Sequence, residues 1–183
     1  MEYYNIKQNV CVKGGPLKVL GKPAGPSLDW LKGQRLDGMS KNKVYEFTSY
    51  EDYSEEGEIP FLGALIQDNY TLFHYKFREA LDQFGIDNIE YYKTKIHEKV
   101  SDRIIESYLL VNILGLYDCP NIPKAVENSL SISEEIFDSK NIFRIDDKVL
   151  NPIMISGDLK SFLKENKILV GVNVKDTSEG FDF

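Results

Sequence analysis

Apolar and polar positions fall into a small number of legible patterns along this chain. Tyr3 to Val12 alternates well enough for a strand and runs into Lys13-Gly14-Gly15-Pro16 and Gly21-Lys22-Pro23-Ala24-Gly25-Pro26, which is loop chemistry. Lys43 to Thr48 alternates with β-branched and aromatic residues, as a half-buried strand does. Phe73, Phe77, Ala80, Leu81 and Phe84 recur at helical spacing and Gly85 stands where a glycine would end the helix, so the pattern predicts a helix over 71–84. Ile86 to Ile96 reads as extended. Ile104 to Leu116, nearly all apolar apart from Glu106, Ser107 and Asn112, reads as a strand from its β-branched and aromatic content. Residues 117–141 carry turn signals and predict mostly loop with a short helical turn. Ile142 to Ile145 predicts a short strand, and Pro152 to Ile155 leads into Ser156, an N-cap for a second helix over 157–166. Ile168, Val170, Val172 and Val174 alternate with period two and predict a strand, whereas Asp176 to Phe183 shows no periodicity.

Together these elements predict an α+β fold with a mostly antiparallel sheet, two principal helices, and long loops at 13–30 and 49–58. Phe77, Leu81 and Ile86 recur 82 positions later as Leu159, Leu163 and Ile168, which suggests a divergent α-β repeat. The length of 183 residues with 42% apolar content suits a single domain, and 28% charged with 12% aromatic residues excludes a disordered chain. No apolar run approaches the roughly 18 residues that cross a bilayer. Met1 to Asn9 is polar and mixed rather than a basic stub with an apolar core, so the expected location is the cytoplasm.

Charge sharpens the picture. Residues 1–45 hold eight Lys/Arg against three acids, a balance of +5, which leaves 14 basic and 26 acidic residues and a balance of −12 for 46–183. An acidic body of this kind repels nucleic acid and anionic lipid and steers basic partners toward itself. Its densest stretch holds Tyr50, Glu51, Asp52, Tyr53, Glu55, Glu56 and Glu58 without a basic residue. Tyrosines suit interface cores and clustered acids capture Arg or Lys, so these residues are the candidate partner-binding loop.

Catalytic signatures do not emerge. Gly21-Lys22 fails the phosphate-loop pattern at Pro16 and Pro23. Cys11, Cys119, His74 and His97 lie too far apart for zinc spacing, and the cysteines read as reduced and inert. His74 and His97 read as packing or surface histidines. Glu134 and Glu135 are adjacent and would point apart in any regular structure. No catalytic, metal or cofactor residue is therefore nominated.

One resemblance adds to this reading. Phe77-Arg-Glu-Ala-Leu81, Gly85-Ile-Asp-Asn-Ile-Glu-Tyr-Tyr92, Tyr108-Leu-Leu-Val-Asn-Ile-Leu114 with Tyr117-Asp118-Cys119, Ile142-Phe-Arg-Ile145, Pro152-Ile-Met-Ile-Ser156 and Leu159-Lys-Ser-Phe-Leu163 together resemble the bacterial polymorphic-toxin immunity proteins of family eleven. The resemblance spans about residues 60–175, with a weaker trace at Lys32-Gly33-Gln34-Arg35-Leu36. It implies a protein that binds and neutralises a cognate toxin in the producing cell by stoichiometric contact, with no catalytic residue set to transfer. Two other functions stay open at this point: an enzyme or small-ligand binder that reverses a toxin's damage, and an adaptor or chaperone that escorts the toxin.

Overall fold

The computed structural model of the chain describes residues 2–9, 30, 32–36, 38–49, 63–67, 70–100, 102–118, 140–146 and 151–176. In chain order the described elements are β1 (Tyr3–Gln8), β2 (Val44–Ser49), β3 (Leu65–Gln67), β4 (Thr71–His74), α1 (Tyr75–Phe84), β5 (Ile89–Glu98), β6 (Arg103–Ile105), β7 (Tyr108–Ile113), β8 (Leu116–Asp118), β9 (Ile142–Asp146), β10 (Ile153–Ser156), α2 (Gly157–Glu165) and β11 (Val172–Asp176). One sheet runs β2-β5-β7-β4-β3 with β6 also on β5, and the other runs β11-β1-β10-β9-β8. Pairing is antiparallel except for β2 with β5 and β8 with β9. This is the expected α+β fold.

The repeat is present in detail. In each half a strand turns into a helix without a linker, and the helix returns to a strand parallel to the first. One antiparallel strand separates the two: β7 lies between β4 and β5, and β1 between β10 and β11. The helix ends correspond at the same offset of 82. His74 Nδ1 accepts from the Lys76 N–H at 3.3 Å to cap α1, and Ser156 Oγ accepts from the Leu159 N–H at 3.2 Å to cap α2. At the other end, the Ile86 N–H donates to Leu81 O at 3.0 Å and the Ile168 N–H to Leu163 O at 2.9 Å, the same closing bond. The left-handed residue before it is Gly85 (φ +88) in the first unit and Lys167 (φ +57) in the second. For a side-chain-bearing residue that conformation is unfavourable by about 1 kcal/mol.

Three boundaries differ from the periodicity. The first helix is 75–84, not 71–84, because Thr71 to His74 is fully buried and hydrogen-bonded on both edges, to β3 and β7. Phe73 and Phe77 are spaced four apart and touch at 4.7 Å between centroids, so helical spacing reads straight through the strand–helix junction. The alternation from Ile168 to Val174 begins as the helix cap and a turn, and only Val172–Asp176 is strand. The stretch 104–116 is divided. The pairing sum of β5 partners is 201 at Ile96–Ile105 but 202 at Lys93–Leu109, so one extra residue sits at Glu106–Ser107, a β-bulge.

Two apolar clusters result. The larger joins both halves: α1 and α2 pack Phe77, Leu81, Leu159 and Leu163 onto Ile6, Val111, Ile113 and Ile155, and Phe84 meets Phe162 at 5.2 Å. The second lies on the opposite face of the six-stranded sheet, where the Trp30 ring meets Tyr45, Tyr70 and Tyr92 edge-on. The buried Trp30 therefore belongs to the core, although the sequence places it in the 13–30 loop.

Four tyrosines in or beside these clusters, Tyr4, Tyr70, Tyr91 and Tyr92, keep their protons. The Tyr4 hydroxyl is pushed up to about 12, first by donating to Glu2 Oε2 and then by burial. Burial, then the neighbouring Asp82 charge, raises Tyr91; burial, then its bond to Glu90, raises Tyr92. The unfolded chain loses these protons near pH 10 while the folded chain holds them, so their stabilisation is complete below that pH and is lost as pH rises through the folded values. Buried Arg144 runs the other way, because burial lowers its pKa and its cost is relieved by alkali. With four tyrosines, Tyr70 raised by burial among them, against one arginine, the unfolding free energy is expected to fall between about pH 9 and about pH 11 in urea titrations; a flat or rising profile would contradict this placement of the tyrosines.

Candidate functional site

Along β5, residues of one parity read Ile89, Tyr91, Lys93, Lys95 and His97. The first two lie under α1 as part of the larger core. From Lys93 onward the same face is exposed or half-exposed, with Lys93 in register with Val44 on one side and Leu109 on the other, and Lys95 with Glu46. His97 stands opposite Ile104, which is 54% exposed, and Val100 at the adjoining turn is 55% exposed. Lys95 Nζ and Glu106 Oε1 form an ion pair at 3.0 Å across this face, which raises the lysine pKa.

The bulge gives the face relief. Thr94 Oγ1 donates to Tyr108 O at 2.6 Å where the ladder is interrupted. A groove of about 230 Å³ opens there between Val44, Lys93, Lys95, Glu106 and Leu109. Where β5 pairs with β6, Arg103 Nε and Nη2 each lie 2.9 Å from Oε2 of Glu98, whose side chain is fully buried. Glu98 pairs with Ser49, the last residue of β2.

The candidate partner-binding residues Tyr50, Glu51, Asp52, Tyr53, Glu55, Glu56 and Glu58 follow Ser49 in the chain and lie outside the described residues. Cys11, Cys119, Glu134 and Glu135 lie outside them too. The open sheet face was not singled out by sequence patterning. Its signal was available in β5, where same-face positions switch from Ile and Tyr to Lys, Lys and His.

A second concavity of about 250 Å³ lies at the seam of the two repeats. Its apolar wall is Ala64, Phe77, Ile168 and Val170, and the polar groups are His74, Lys76 and Lys167. The Ala64 N–H donates to Val170 O at 2.8 Å and the His74 N–H to Ala64 O at 3.0 Å, which fixes the two halves around it. His74, read from sequence as a packing or surface histidine, is a buried helix cap whose pKa is lowered by burial and then by Lys76. Acceptance at Nδ1 leaves the ring proton of the neutral form on Nε2.

Among the described residues no group of three or more His, Cys, Asp or Glu gathers as a metal site, and no helix is long and apolar enough to cross a membrane. Compared with protein-family models and with curated proteins, the chain matches none.

Proposed function

We propose that this chain is an immunity protein, acting in the cytoplasm of the producing cell, that binds a cognate basic toxin and neutralises it by direct stoichiometric contact without catalytic turnover. The observation that carries the reading is the half of the six-stranded sheet that no described element covers. It presents Val44 and Ile104 to solvent beside Glu46, Lys93, Lys95 and Glu106, on rigid paired strands. The register sets Glu46, Lys95 and Glu106 across the middle of this face with Val44 and Ile104 at opposite corners, and exposed apolar side chains bordering a charged row suit a protein-binding surface. The chain passes from β2, one edge of this face, into the acidic stretch Tyr50–Glu58, and the balance of −12 over 46–183 favours a basic partner.

Co-expression with the product of an adjacent toxin-like gene tests the reading. A one-to-one complex that protects cells, with affinity that falls steeply with salt, is the expected result. Ile104→Asp should weaken that complex by about 100-fold or more, while Glu51, Asp52, Glu55 and Glu56 changed together to Ala should weaken it and flatten its salt dependence. Protection without a complex would point to enzymatic reversal of damage, and a complex in which the toxin stays active would point to an escort.

A further inference from the structure

We propose that the seam cavity is a binding site for a single carboxylate carried on an apolar body, an inference independent of the toxin reading. The argument comes from aligning the two halves of the molecule at their offset of 82. Three positions that have well-suited helix-end residues in one unit have poorly suited ones in the other. The N-cap is Ser156 in the second unit and His74 in the first. The second helical residue is Asp158 there and Lys76 here, a cation at the positive end of a helix. The left-handed closing residue is Gly85 in the first unit and Lys167 in the second.

All three poorly suited residues, His74, Lys76 and Lys167, line the same cavity. Helix-end chemistry has thus been given up on two different helices, and both concessions meet at one place. Among the described residues neither Lys76 nor Lys167 has an ion-pair partner, in a chain whose net charge is −7. Two lysines that line a hollow walled by Phe77, Ile168 and Val170, and that have no ion-pair partner among the described residues, suit a ligand with one negative end and one apolar end. Such a carboxylate belongs either to a free acid or to an apolar chain end.

Titration of the full chain with phenylacetate, followed by amide chemical shifts, tests the site, with phenylacetamide as the neutral counterpart. Phenylacetate should move the signals of His74, Ile168 and Val170, and phenylacetamide should bind at least about 10-fold more weakly. N-acetylphenylalanine binding more tightly than phenylacetate assigns the site to a chain end, and the reverse order to a free acid. Lys167→Gly restores the residue of the sister helix, so it should raise Tm by roughly 4 °C while weakening phenylacetate at least about 5-fold. Lys76→Asp should abolish binding with the fold retained. Equal binding of acid and amide, no shifts at the cavity, or unchanged affinity in Lys167→Gly would each overturn the proposal.

Discussion

Arg144→Ala is expected to lower the unfolding free energy by about 3–5 kcal/mol, whereas Arg144→Met should recover most of the loss. Arg144 is the largest fully buried side chain described. Its Nη1 donates to Asn151 O at 2.9 Å and its Nη2 to Thr71 Oγ1 at 2.7 Å, while Nε finds no acceptor. The second bond ties β9 of one sheet to β4 of the other. Alanine leaves a long cavity at this junction and strips both acceptors of their donor. Methionine fills the volume and removes a buried charge that no carboxylate compensates among the described residues, and removal of such a charge is favourable. Urea unfolding of the three proteins decides the matter. Equal losses in Ala and Met would mean that the two hydrogen bonds, rather than filled volume, hold the junction.

Leu81→Ala and Leu163→Ala should each cost about 2–5 kcal/mol and shift one and the same unfolding transition. The two leucines are equivalent in the repeat and fully buried in a single cluster to which both helices contribute. If the halves were separate folding units, each substitution would displace only half of the signal. Coincident shifts by far-UV circular dichroism and tryptophan fluorescence establish one cooperative core, since Trp30 reports from the far face of the six-stranded sheet. Two resolved transitions would refute it.

Much of this architecture was legible in the residues. The Ser156 cap, the closing Gly85 and the 82-residue offset could be read because each rests on local chemistry within one or two turns, whereas the His74 cap was hidden by helical spacing that runs through the strand before it. What escaped depended on contacts distant in sequence. Thr71 to His74 is strand because β3 and β7 flank it, and Trp30 is buried because Tyr45, Tyr70 and Tyr92 surround it. The open sheet face follows from where α1 stops covering β5, a boundary in space that only the switch at Lys93 betrays in the sequence. The cavity residues escaped for another reason: each looks ordinary alone, and only its counterpart in the other half shows what is missing.

The position of β1 governs how the chain can be made. It finds its place between β10 and β11, both synthesised well after it, and the Asn5 side chain bonds Ile153 O across 148 positions. At ribosomal speed the nascent strand waits roughly ten to thirty seconds for its neighbours to emerge. Contact order this high belongs to slow folders. α2 and β11 therefore complete the sheet around β1, and the five-stranded half of the protein forms only after β11 has left the ribosome.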